Sequence, residues 1–354
     1  MVNGSLTPAL SLRERELKAD RGAAAIDDWP GWGEGTIHHP FQPCYVDITY
    51  PHHHHTPHTP TTRNPMPLIR LLTLCCCLLM TLHTQAAEPF ASDRLTVEVV
   101  GQGPDVILIP GLASSREVWR PLAKRLSADH RLHLVQLAGF AGQPWSHGDG
   151  PLLEPAMEEL DRYIRDAQLQ QPKLIGHSLG GLMALRLAQA HPQDVGAVMT
   201  VDSLPFYSAL FFPGVTVEQA RPVADRAAAE ILSLEPKIFA ERQATVAQVL
   251  THDEATRRAI VAWSLASDRQ AMATALHEAM ITDAREGLAA MTTPVTAVYA
   301  DAGREPAQVD ALWEQGYRGL PGVKRVRVER SLHFVMSDQP QAFYKAVEAF
   351  LQRP

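Results

Sequence analysis

From Glu88 onward, short runs of apolar, β-branched residues alternate with stretches whose apolar positions recur every three to four residues. A strand buried on both faces reads as a continuous apolar run, and a surface helix as a 3.6-residue period. The alternation therefore predicts an α/β fold around a mostly parallel central sheet. Strands are expected over 94–100, 105–110 (with Val106-Ile-Leu-Ile109 as its apolar centre), 130–137, 173–177, 197–201, 295–300 and 323–328. Helices are expected over 118–126, 151–167, 179–190, 306–317 and 340–351. Gly101-Gln-Gly-Pro104 reads as a hairpin turn joining the first two strands. From about 204 to 290 the strand pattern stops and only helical periods rich in Ala and Gln remain, which predicts a helical cap inserted after the sixth principal strand.

The first 87 residues follow no such pattern. Residues 1–65 carry scattered prolines and the His52–His55 run without an apolar period, as expected of a disordered or non-native extension. Met66-Pro-Leu-Ile-Arg70, the apolar run Leu71 to Leu82 and Thr84-Gln-Ala-Ala87 are the basic, apolar and small-residue parts of a secretory signal peptide. A signal peptide belongs at the start of a chain, so Met66 is the expected initiator, and the mature protein is expected to be exported, periplasmic or secreted. The apolar run is short for a membrane span, and no stable membrane anchor is expected.

Composition removes other possibilities. Cys44 stands alone and Cys75, Cys76 and Cys77 are consecutive, which is no zinc spacing, and cleavage after Ala86 or Ala87 would remove all four. That suits an oxidising compartment. Lys plus Arg is 32 against 39 for Asp plus Glu, a net charge of −7, and a nucleic-acid partner is not expected. No metal or other cofactor is expected either.

The chemistry points to Gly176-His-Ser-Leu-Gly180, a G-x-S-x-G pattern set between a predicted strand and a predicted helix. Such an elbow holds its serine in a strained turn, and the helix that starts there presents free N–H groups to a developing oxyanion. Pro110-Gly-Leu-Ala113 follows a buried strand where an oxyanion loop belongs, so the backbone N–H groups of Leu112 and Leu179 are the expected oxyanion hole. His333 lies in a loop between the last strand and the last helix, where a general base can reach a serine.

In this order, these residues resemble the α/β-hydrolase superfamily over roughly Glu88 to Pro354. Gly176-His-Ser-Leu-Gly-Gly181 looks like one of its common elbows, and His333-Phe followed by Asp338-Gln-Pro340 like its usual His loop. The resemblance implies Ser178 as nucleophile, His333 as base and His177 as a packing residue below the elbow. It also implies an orienting acid after the strand at 295–300. There the chain reads Tyr299-Ala-Asp-Ala-Gly303, with Asp301 two residues ahead of the usual position, and Glu305 nearby. Asp301 is the expected acid, with Asp202, after the strand at 197–201, as its rival.

The cap should cover the Ser178 end of the sheet. Its aromatic residues Phe206, Phe211 and Phe212, together with Trp119 and Trp145 from the loops below, are candidates to line an apolar acyl pocket. Tyr207, Trp263, Met272 and Met280 also belong to the cap, where packing on the core is the alternative role. The expected function is a serine hydrolase acting on a small apolar ester, thioester or lactone. The alternatives are cleavage of an amide or carbon–carbon bond, or a binding protein that retains the scaffold.

Overall fold

The computed structural model describes residues 90–352. The extension expected over 1–65, the signal peptide expected over 66–87 and the cysteines lie outside the described residues. Seven strands form one sheet: β1 (Leu95–Gly101), β2 (Asp105–Ile109), β3 (Arg131–Leu137), β4 (Lys173–His177), β5 (Ala197–Val201), β6 (Val295–Ala300) and β7 (Lys324–Val328). Their order is β1-β3-β2-β4-β5-β6-β7, and every pair is parallel except β1 with β3.

Period-two alternation divides the core between the two faces of the sheet. Ile107 and Ile109 face one side, packing with α2 (Leu153–Asp166), α3 (Leu179–Ala190) and α8 (Pro306–Gly316). Val106 and Leu108 face the other, against α1 (Arg120–Leu126) and α10 (Pro340–Leu351). With both faces covered, the central strands are apolar throughout, which is why they read as continuous runs.

Two expectations need correction. The turn at 101–104 does not close a hairpin. Both edges of β2 are occupied by parallel neighbours, so β1 pairs with β3 instead, Leu95 opposite Leu137 and Gly101 opposite Arg131. Gly101 has φ +81°, and a Cβ there would lie 2.4 Å from the His130 carbonyl oxygen, so the chain turns hard against the Ser127–His130 corner. The cap, in turn, follows the fifth of the seven strands, not the sixth, because no strand precedes β1 among the described residues.

The cap itself is helical as expected, with α4 (Val217–Ser233), α5 (Pro236–Leu250), α6 (Glu254–Ala266) and α7 (Arg269–Ile281). Each start has its local reason. Thr216 and Gln219 form a capping box ahead of α4, Pro236 opens α5, and the Asp253 and Asp268 carboxylates accept from the amides of Thr256 and Ala271. Glu278 on α7 accepts from the amides of Leu152 and Leu153, which ties the cap to the N-terminus of α2. A short α9 (Val335–Asp338) completes the loop between β7 and α10. No helix of the described residues is long and apolar enough to cross a membrane.

Candidate active site

The chain leaves β2 toward β3 on one side, while β4 lies on the other, so a crevice opens at the carboxyl ends of β2 and β4. Ser178 sits there, between β4 and α3, with φ 52° and ψ −119°. This is a costly conformation for a residue with a side chain, and the surroundings enforce it. The Ser178 amide donates to the Val201 carbonyl at 2.9 Å, while its own carbonyl accepts from Gly181 and Leu182 to begin α3. The turn is so tight that a Cβ on Gly176 would stand 2.1 Å from the Gly180 carbonyl oxygen, and one on Gly180 would stand 2.4 Å from that of Ile109. Leu179 is the first residue of α3 and Leu112 lies in the loop after β2; both border the same small recess beside Ser178. Neither amide donates to a backbone carbonyl among the described residues. The two N–H groups that the sequence singled out are therefore unspent at the serine.

Opposite Ser178, in the loop after β7, stands His333. Its Nδ1 is 2.7 Å from Asp202 Oδ2. Asp202 closes β5 with φ 48°, its amide donating to Val298 and its Oδ1 accepting from the Ala300 amide at 3.0 Å. The carboxylate is thus braced by β6 and aimed at His333. Asp301, the acid expected first, is elsewhere: it accepts from the Gly303 and Arg330 amides, at 3.3 and 2.8 Å. The tight turn through Ala302 and Gly303, both at positive φ, folds its side chain back onto its own loop. The carboxylate that meets His333 is Asp202.

His177 is buried beneath the elbow, its Nε2 donating to the His333 carbonyl at 3.1 Å. Burial, reinforced by the adjacent His333, holds its pKa well below 6.5, so the ring is neutral. It packs as expected and also supports the His333 backbone.

Ser178, His177 and His333 share a cavity of about 310 Å³ with the loop Gly111–Ser114 and with the cap. None of the five aromatic residues expected to line this pocket borders it. Trp119 is fully buried on the other face of the sheet, stacked on Phe343 at 6.3 Å. Trp145 donates to the Gly148 carbonyl and lies under the Arg94 guanidinium. Phe206 is 0% exposed, packed with Ala209 and Ala220 and covered by Arg285. Phe211 and Phe212, 51% and 58% exposed, follow the single turn Tyr207–Leu210 and face outward. The cap lines the cavity with one face of α4 and its end (Ala227, Glu230, Ile231, Leu234), one face of α5 (Phe239, Arg242, Gln243, Val246, Leu250), Ile260 and Ser264 on α6, and Met272 and Leu276 on α7, with Tyr207 between cap and sheet. The spacings along α4 and α5 are those of one helix face, which is the signal that composition alone overlooked. Burial and the Asp202 charge push the Tyr207 phenol up to about 12, so it is a neutral donor in this cavity. Arg242, the cationic side chain of the lining, is paired with Glu230.

A family model for the alpha/beta hydrolase family matches residues 106–346. The chain belongs to that family. It is an enzyme of the α/β-hydrolase fold, and similar curated proteins include ester hydrolases by name. The pimeloyl-[acyl-carrier protein] methyl ester esterase of Aeromonas salmonicida is 29% identical over 262 residues, 73% of this chain and 99% of that protein. The protein of the same name from Aeromonas hydrophila is 28% identical over 260 residues, covering 73% and 99%. Among solved structures, the enol-lactonase from Burkholderia xenovorans superposes with a TM-score of 0.61 at 16% identity, over 73% of this chain and 96% of that one. An esterase from Exiguobacterium antarcticum gives 0.62 at 16% identity over the same shares, so both share the fold.

Away from this site, Asp161, His191 and Asp194 each bring one donor atom within 4.8 Å of the others, and Arg165 already pairs with Asp161.

Neutral burial of His177 has a consequence for stability. Its pKa is low in the folded chain and ordinary in the unfolded one, so below about pH 6.5 the unfolded state takes up the proton first. His133, depressed chiefly by burial, acts in the same direction. Unfolding free energy is expected to fall as pH drops below 6.5, by up to about 1.4 kcal/mol per pH unit for His177. Urea melts at pH 7.5 and 5.5 measure it; equal midpoints would contradict a neutral, buried His177.

Proposed function

We propose that this chain is a carboxylic ester hydrolase that cleaves small apolar esters through an acyl-enzyme on Ser178. The observation that carries the proposal is the His333–Asp202 hydrogen bond beside the serine. With Nδ1–H donated to Asp202, the imidazole presents an unprotonated Nε2 and can act as a base. Ser178 Oγ attacks the ester carbonyl and passes its proton to His333. The carbonyl oxygen, now an anion, takes hydrogen bonds from the Leu112 and Leu179 N–H groups. His333 gives the proton to the departing alcohol, leaving the acyl group on Ser178. Water then attacks the acyl-enzyme, its proton going to His333 and from there back to Ser178 as the acid leaves. Asp202 remains ionised and stabilises the imidazolium in both halves. The sequence of steps needs no metal or organic cofactor.

The apolar lining from α4, α5 and α7 favours an uncharged acyl or alcohol group, and the curated relatives are methyl ester esterases by name. Thioesters and lactones present the same carbonyl to the same groups. A p-nitrophenyl ester series from acetate to laurate is expected to give turnover with an optimum between butyrate and octanoate. Ser178→Ala should abolish both turnover and labelling by a fluorophosphonate. Labelling or turnover that survives this substitution would rule the mechanism out.

We further propose that residues 66–87 act as a cleaved export signal, on the strength of the basic, apolar and small-residue succession described above. Peptide mapping of the native protein should find its N-terminus near Glu88, and peptides upstream of Met66 would overturn the proposal.

A further inference from the structure

The loop that carries His333 is gripped from two directions. On the sheet side, Asp301 accepts from the Arg330 amide and Ser331 Oγ donates to the Val328 carbonyl. The other grip comes from the cap. Asp338, at the end of α9, accepts at Oδ1 from Thr251 Oγ1 at 2.6 Å and from the His252 and Asp253 amides at 2.8 and 3.3 Å. These three residues are the corner between α5 and α6. Oδ2 of the same carboxylate accepts from the Leu332 amide at 2.7 Å, immediately before His333. Immediately after it, the Phe334 amide donates to the Leu250 carbonyl at 2.9 Å, the last residue of α5. Leu250 and Phe334 both line the Ser178 cavity.

The geometry points to Asp338 as a positioning residue that makes the placement of His333 depend on the cap. The inference rests on the proposed role of His333 as the base for Ser178. Asp338 does not border the cavity and touches no reacting group. It acts through the backbone on either side of His333. A carboxylate suits the task because it is acceptor-only and has two oxygens: one collects three donors from the cap corner, the other holds the amide next to the base. Asp202 fixes the ring through Nδ1, and Asp338 fixes where the chain delivers that ring. Since α5 lines the cavity and ends at the clasp, a cap settled on its ligand also holds the base in place. Proton transfer and attack are sensitive to displacements of about 1 Å, which can cost roughly a hundredfold in rate.

The test compares Asp338→Ala, Asp338→Glu and Thr251→Val, using p-nitrophenyl butyrate turnover, the rate of fluorophosphonate labelling and the melting temperature. Asp338→Ala is expected to lower kcat by about 30- to 100-fold with KM nearly unchanged, and to slow labelling by a similar factor. Asp338→Glu, which keeps the carboxylate, should recover most of the labelling rate. Thr251→Val removes the shortest of the three cap donors while leaving the Leu332 contact intact, and should cost several-fold in kcat, so the test survives even if Asp338→Ala fails to fold. Wild-type kcat and labelling in a folded Asp338→Ala, an effect confined to KM, or an unaffected Thr251→Val would overturn the inference while leaving the ester reading intact. A wild-type protein that neither turns over nor labels would overturn both.

Discussion

The hydrogen bond between His333 Nδ1 and Asp202 Oδ2 closes a loop of 131 residues, and much of the fold converges on it. Asp202 has to leave β5 at positive φ, and it is held there by the Val298 carbonyl and the Ala300 amide, both belonging to β6. The parallel β5–β6 pairing is therefore part of the site's architecture. The whole cap is inserted between these two neighbouring strands, and the chain departs into it directly after the acid.

The elbow imposes a second, steric constraint. Backbone from β2, β4 and α3 comes together so closely that no side chain fits at Gly176 or Gly180. That crowding keeps Ser178 in its strained turn and places the start of α3 beside the loop after β2, so that Leu112 and Leu179 border one recess with the serine. His177 then links the two constraints: it lies under the elbow and its ring donates to the backbone of His333. Pre-organisation of this kind costs folding stability, and the two buried faces of the sheet supply what offsets it.

Much of the framework was legible in the sequence because it rests on local or periodic signals. Val106-Ile-Leu-Ile109 announces a strand covered on both faces, and the glycines around Ser178 announce a turn between strand and helix. The acid was not legible in the same way. Asp202 and Asp301 stand at the ends of adjacent parallel strands, and which of them reaches His333 depends on how each loop bends. Asp202 is steered by a single positive φ braced by β6, whereas the turn at Ala302 and Gly303 folds Asp301 back onto its own loop. The pocket was hidden for another reason. Aromatic content drew attention to Phe211, Phe212 and Trp119, yet the cavity is lined by ordinary helix faces on α4 and α5 whose residues look like any amphipathic stripe. Likewise β1 runs into a tight turn, but strand order is a tertiary property, and it pairs with β3 and not with β2.

The central claim is that Asp202 orients His333 for attack by Ser178. The direct test is to compare kcat for Asp202→Asn and Asp301→Asn on one p-nitrophenyl ester, with melting temperatures to confirm folding. The predicted result is a loss of about 10⁴-fold for Asp202→Asn, because an amide holds the wrong tautomer of His333, and only a few-fold loss for Asp301→Asn. A large loss at Asp301 with near-normal turnover at Asp202 would contradict the account.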